Sequence, residues 1–235
     1  MARKMRPAAA ACIASATLLT AATSYFAFAP AAAGTRAFWA LAAVPPLALG
    51  VLAFIWALRE DLLRGWLSPR WGDFTRGVVG AALLFAVAWA FAHLAAPVGS
   101  SREIWLVSLY GQIGDPQRLH AQSALAGGVI LLGSLAEELV WRGMITQLLA
   151  ESLGSRRAWV GAAVLYAAAY APTMWSLRAG TTPNPLLVVA ALGGGLLWGG
   201  MARVFGTLVP SVVAHAFFDW VAVMMLPLWG GRLDI

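Results

Sequence analysis

Apolar residues in this chain run in long blocks, with polar and charged residues gathered into short breaks between them. Blocks near residues 8–32, 37–58, 77–98, 122–150, 158–177, 186–204 and 207–229 each approach or exceed the ~20 residues that an α-helix needs to cross a bilayer. Lipid offers the backbone no hydrogen-bond partners, so each block is predicted to be helical, and no alternation of the β-barrel kind occurs. The apolar stretch "EIWLVSLYGQIG" at 103–114 and the length of the fourth block leave room for an eighth, partly re-entrant element. The pattern predicts an all-α, polytopic transmembrane bundle of about seven to eight spans. With no internal repeat, low-complexity tail or soluble segment, residues 1–235 read as one membrane domain. The loop 59–76, "REDLLRGWLSPRWGDFTR", carries charges and two tryptophans suited to an interfacial helix.

Composition strengthens the membrane reading: 61% of residues are hydrophobic, 11% are charged, and the mean hydropathy is +0.76. A formal charge of +6 and a pI near 10.4 would suit nucleic acid, but the arginines sit in connectors rather than on a basic face interleaved with aromatics, which excludes that partner. Their placement reads as topology. With the N-terminus inside, Arg3, Lys4, Arg6, Arg59, Arg64, Arg70, Arg76, Arg156, Arg157 and Arg203 are cytoplasmic, against Arg36, Arg102, Arg118, Arg178 and Arg232 outside. This bias orients the chain N-in. The composition, rich in alanine and arginine, fits a high-GC bacterial source and the bacterial inner (plasma) membrane. The opening "MARKMRPAAAACIASATLLTAATSYFAFAPAAAG" also has the layout of a secretory signal with a possible "AFA" cleavage site, although its apolar run exceeds the ~7–15 residues usual for one, which favours a retained first helix. The single cysteine, Cys12, excludes an internal disulfide framework and a cysteine metal cluster.

Ionisable groups within spans are costly, so each is a functional hypothesis. "LAEELVWRGMI" (135–145) in the fourth span contributes Glu137, Glu138 and Arg142, the seventh contributes His215 and Asp219, and the third His93. On helices, Glu138 and Arg142 are four residues apart, as are His215 and Asp219, so each pair shares a face and Glu137 points elsewhere. At 1.5 Å per residue, Glu137 lies roughly 20 Å from the cytoplasmic end, Asp219 roughly 18 Å and His215 roughly 12 Å, close enough to meet, whereas His93 at roughly 24 Å suits a lone hydrogen bond within the bundle. The cluster is expected to open towards the cytoplasm. Arg142 neutralises Glu138 and leaves Glu137 without a local partner, as suits a general base that accepts and returns a proton. His215 is placed to contact the same water or a developing oxyanion, with Asp219 orienting the imidazole or contacting substrate. Hydrolysis of a peptide bond within the membrane is the implied chemistry. "GGGLLWGG" (193–200) contains Gly195-x-x-x-Gly199, read as close helix packing, and the "TMW" and "PLWGG" tryptophans are read as interfacial belts.

Glu-Glu-x-x-x-Arg followed in a later span by His-x-x-x-Asp resembles the CPBP family, the CAAX-protease and bacteriocin-processing intramembrane endopeptidases, over about residues 77–229. The resemblance implies catalytic roles for Glu137, Glu138, Arg142, His215 and Asp219, and a membrane-associated protein or peptide as substrate, cut near its C-terminus or in a membrane-proximal segment. The family's middle motif is Phe-x-x-x-His; here "LYAAAYAP" puts Tyr166 at the aromatic position and Tyr170 where the histidine belongs. A tyrosine is a poor ligand and a weak base at neutral pH, so a divalent metal such as zinc loses support, no cofactor is expected, and a glutamate mechanism fits better. Two other readings stay open: a catalytically inactive relative acting as a binding, immunity or regulatory protein, and a small transporter, although broken-helix pairs and inverted repeats are absent from the sequence.

Overall fold

The computed structural model describes residues 5–224. Arg3, Lys4, Arg232, Trp229 of "PLWGG" and the end of the seventh predicted span lie outside the described residues. The elements are α1 (Pro7–Ala27), α2 (Arg36–Arg59), α3 (Leu63–Leu67), α4 (Asp73–Ala90), α5 (Glu103–Ile113), α6 (Pro116–Ala121), α7 (Ser123–Glu137), α8 (Thr146–Leu153), α9 (Ser155–Ala169), α10 (Thr173–Ser176), α11 (Leu186–Phe205) and α12 (Val209–Met224). A π-helical segment, Phe91–Ala95, prolongs α4, and a second, Glu138–Ile145, joins α7 to α8 in one continuous 31-residue helix. Among the described residues no strand forms, and the all-α reading holds. Helix starts follow local chemistry: Thr35 caps α2 by accepting from the Ala37 N–H, Asp115 caps α6 by accepting from Gln117, and proline opens α1.

Five helices are long and apolar enough to cross a membrane: Pro7–Ala27, Arg36–Arg59, Asp73–Ala95, Ser123–Leu153 and Leu186–Phe205. This is an integral membrane protein. Two predicted spans are shorter than their apolar blocks. The block at 158–177 becomes the 15-residue α9, a turn at Tyr170–Pro172 and the four-residue α10, and within the described residues the last block gives the 16-residue α12. Residues 103–114 form an 11-residue helix too short to span. Between α2 and α4 the loop holds the short α3, and its two tryptophans part company: Trp71 is fully exposed, while Trp66 is buried beside Trp56 and closes over Gly143. The arginines there cap and brace the bundle end, Arg70 donating to the Phe205 carbonyl at 2.6 Å and Arg76 pairing with the buried Asp73.

Polarity is inverted relative to a water-soluble domain. Leu18, Val51, Leu52, Val79, Leu83 and Val189 are exposed on the outer surface, while Glu138, Arg142, His215 and many alanines fill the interior. Lipid tails are as apolar as leucine, so helices associate through close packing of small residues. A Cβ at Gly77 on α4 would meet Val213 and the Pro210 carbonyl of α12, and one at Gly195 on α11 would press on Ala163 of α9. Gly199 sits beside Trp159 of α9 at ordinary contact distance, so the Gly195-x-x-x-Gly199 pattern is a helix-packing stripe. α1 is part of the bundle: Ala9, Ile13 and Ala16 are buried, Ser24 donates to the Ala169 carbonyl at 3.1 Å, and Arg6 forms a two-pronged ion pair with Glu151.

Candidate active site

The carboxylates sit where regular α-helical hydrogen bonding gives way. α7 ends at Glu137, and the next eight residues are π-helical, a geometry that occurs mostly as short bulges, often at functional sites. The Thr146 hydroxyl supports the wide turn by donating to the Trp141 carbonyl five residues back, at 2.8 Å. The expected Glu138–Arg142 ion pair forms, Nη1 to Oε1 at 3.2 Å, with both side chains buried. The expectation that Glu137 points away from that group is corrected. Glu138 Oε1 lies 3.0 Å from His215 Nδ1, and Glu137 Oε2 lies 3.8 Å from His215 Nε2, so consecutive glutamates approach the imidazole from its two sides.

His215 has a third carboxylate neighbour, Asp219, with Oδ2 at 3.3 Å from Nε2, as their spacing on α12 predicts. The ring is clamped flat against the Trp198 indole of α11, centroids 3.8 Å apart and planes 16° apart. Gly194 makes this possible, since a Cβ there would fall 2.7 Å from the Trp198 ring. The buried Arg142 guanidinium lies 4.6 Å from the Tyr166 ring centroid and 5.0 Å from that of Trp198, a cation–π arrangement that partly compensates lost hydration.

Glu137 is not without a partner, contrary to the sequence reading. Tyr166 donates its hydroxyl to Oε2 at 2.6 Å and Tyr170 donates to Oε1 at 3.2 Å. Tyr166 lies in the last turns of α9 and Tyr170 is the residue that closes it, so four-residue spacing turns both phenols to one side. The chain thus brings Glu137, Glu138, Arg142, Tyr170, His215 and Asp219 into one cluster. His93 stays out of it: Nδ1 lies 2.9 Å from the Trp89 carbonyl and the ring stacks on Trp89. Sequence reasoning missed the hydrogen bond of Tyr166 to Glu137 and the whole contribution of Trp198. The one available signal for the latter was a glycine four residues before a tryptophan inside a span.

A metal ion would have to share the cluster's side chains with the bonds they already make. Both Glu137 oxygens accept phenolic hydrogens, Nδ1 of His215 is turned to Glu138, and a tyrosine stands where the family pattern has a further imidazole. Among the described residues no group of three or more histidine, cysteine, aspartate and glutamate side chains is placed to hold one.

A cavity of about 570 Å³ reaches the cluster. Its wall takes in Thr20–Phe28 of α1 and the connector beyond it, Phe38–Pro46 of α2, α5, the first half of α11 and parts of α4, α7 and α12, and it includes Glu137, Tyr166, Tyr170, His215 and Asp219 of the cluster. The cavity lining therefore lies in the half of the bundle opposite the end that carries Arg6 and the loop 59–76. The sequence count of depth fixed only how far each residue lies along its helix, not which neighbouring helices leave space.

Residues 119–221 match the family model described as "Rce1-like: Type II CAAX prenyl endopeptidase Rce1-like", a segment that contains all six clustered residues. No curated protein and no solved structure matches the chain. Residues 119–221 are thus similar to the Rce1-like family, a likeness consistent with the CPBP resemblance carried by the glutamate and histidine motifs.

Proposed function

We propose that the protein is a CAAX-protease-like intramembrane endopeptidase in which Glu137 activates water to hydrolyse a peptide bond of a membrane-associated protein or peptide. The observation that carries this reading is the placement of Glu137: it is the glutamate in the cavity wall, whereas Glu138 stands behind it, tied to Arg142 and His215. Water lodged between Glu137 Oε2 and His215 Nε2, atoms 3.8 Å apart, gives up a proton to the carboxylate as its oxygen attacks the scissile carbonyl carbon. The carbonyl oxygen becomes an oxyanion. Tyr170, whose bond to Glu137 is the longer of the two phenolic ones, and His215 are the donors nearest to it. When the tetrahedral adduct collapses, the C–N bond breaks and Glu137 returns its proton to the leaving amine. Asp219 holds Nε2 of the imidazole, while Glu138 and Arg142 brace Nδ1. On this reading the enzyme sits in the bacterial inner membrane with its N-terminus cytoplasmic, which the arginine bias of the connectors supports.

A second reading, an inactive family member that binds membrane proteins or peptides, draws on one observation: both Glu137 oxygens already accept a phenolic hydrogen, and water must compete with them. Comparing protein C-termini by mass spectrometry, in cells carrying wild-type protein or Glu137→Gln at matched expression, separates the two. Precursors that accumulate only with the variant are the expected result. Identical C-termini in both strains favour the inactive reading.

A further inference from the structure

His215 has more acceptors around it than ring nitrogens to meet them. Nδ1 lies 3.0 Å from Glu138 Oε1, and Nε2 faces two carboxylates, Asp219 Oδ2 at 3.3 Å on its own helix and Glu137 Oε2 at 3.8 Å at the end of α7. The hydrogen bonds of an imidazole lie close to its ring plane, so the tilt of that plane decides which oxygen each nitrogen reaches. The carboxylates alone leave the tilt loose: Glu138 grips one nitrogen, while the Glu137 and Asp219 side chains stand in the cavity wall, 15% and 37% exposed. A flat surface sets it, the Trp198 indole, which lies 3.8 Å from the ring and parallel to it within 16°. The indole is itself held, being 4% exposed, backed by Gly194 and approached by the Arg142 guanidinium at 5.0 Å. Packing between helices explains this pair poorly. Gly195 serves packing by meeting Ala163 of α9, whereas Gly194 makes room for a ring of its own helix, and Trp198 buries an N–H that makes no hydrogen bond among the described residues, which is a cost.

We propose that Trp198 is a positioning residue: stacked on His215, it holds the imidazole plane so that Nδ1 meets Glu138 while Nε2 meets Asp219 and the water beside Glu137. Its effect on rate rests on the endopeptidase reading of the same site, and its hold on the ring does not. Without the indole the imidazole can tilt or turn over about its Cβ–Cγ bond, and Nε2 leaves the space between Glu137 and Asp219. Misplacing a group by about 1 Å costs about a hundredfold in rate. The rest of the cavity wall still binds substrate, so the loss falls on kcat rather than KM. The aromatic face matters here and the N–H does not. A phenyl ring at position 198 supplies a face without the unpaired donor, and it stops short of Cη2 and Cζ3, the indole atoms that a Cβ at Gly194 would crowd.

The test uses full-length protein in detergent micelles with ¹⁵N-labelled histidine, so that His93 and His120 serve as internal controls for the ring-nitrogen signals of His215. The substrate is the precursor that accumulates with Glu137→Gln. Trp198→Leu is expected to lower kcat by about tenfold to a hundredfold at equal folded protein, with KM within about twofold of wild type. The same variant should shift or double the His215 nitrogen signals and leave those of His93 and His120 in place. Trp198→Phe should keep kcat within about threefold, since an aromatic face remains, and the His215 signals close to wild type. Gly194→Ala, whose methyl would lie 2.7 Å from Cη2 and 2.8 Å from Cζ3, should reproduce the effects of Trp198→Leu, and adding Trp198→Phe to it should reverse them. His215 signals unmoved in Trp198→Leu, whatever its thermal stability, would overturn the proposal, as would an unchanged kcat beside altered signals. A precursor that no form of the protein cleaves removes the endopeptidase reading, and the nitrogen signals then decide by themselves whether Trp198 holds the ring.

Discussion

Replacing Arg142 with methionine keeps much of the side-chain volume and removes the charge. The wild-type guanidinium is 3% exposed and sits 3.2 Å from a carboxylate that is fully buried. Breaking a buried pair by deleting one partner costs about 3–5 kcal/mol, because the surviving charge is left uncompensated. For a chain of this size each kcal/mol corresponds to about 2–4 °C in Tm, so Arg142→Met is expected to lower the midpoint by about 6–20 °C, a range obtained by multiplying the two. Lost stacking on Tyr166 and Trp198 acts in the same direction. Adding Glu138→Gln removes the orphaned carboxylate while leaving an amide oxygen to accept from His215 Nδ1, so the double variant should recover at least half of the loss. Thermal unfolding of wild type, both single variants and the double variant in one detergent, read by circular dichroism, closes the cycle. A single variant as stable as wild type, or a double variant whose loss equals the sum of the singles, would refute the claim that Arg142 compensates a buried charge.

Two further outcomes follow from the packing and the site. Gly77→Ala places a methyl against Val213 and 3.0 Å from the Pro210 carbonyl; overpacking of this kind costs ~1–3 kcal/mol, and Val213→Ala should restore part of the lost midpoint, whereas an unaffected Gly77→Ala would mean that α4 and α12 pack less closely. Tyr166→Phe removes only the hydroxyl 2.6 Å from Glu137; a hydrogen bond to a charged group contributes ~1.5–3 kcal/mol, so kcat should fall by between about tenfold and a hundredfold with KM little changed, and an unchanged kcat would deny Tyr166 a part in holding the base.

Much of this arrangement is legible in the sequence because the membrane makes charged residues conspicuous. Glu137, Glu138, Arg142, His215 and Asp219 are among the few ionisable groups within the apolar blocks, and helical spacing alone predicts the pairs Glu138–Arg142 and His215–Asp219. What hydropathy cannot encode is backbone irregularity and the identity of neighbours. The turn at Tyr170–Pro172 that shortens α9 lies inside an apolar run with only a proline to mark it. The π segment at Glu138–Ile145 contains no proline, and its only glycine, Gly143, makes room for Trp66. Without that segment the glutamates read as facing different ways, and the shared histidine is hidden. Trp198 was absorbed into a packing stripe because an indole beside glycines satisfies that pattern equally well. The half of the bundle that holds the cavity depends on how α1, α2, α5 and α11 diverge, which no single span reveals.

The central claim is that Glu137 activates the water that cuts the peptide bond. It is tested most directly with purified wild-type protein and Glu137→Gln in proteoliposomes, incubated with a processed membrane-protein precursor in ¹⁸O-labelled water. The account expects one ¹⁸O atom in each new C-terminal carboxylate released by the wild type and no product from Glu137→Gln at equal folded protein, with Glu138→Asp retaining measurable turnover. Labelled product at the same rate from Glu137→Gln would contradict it.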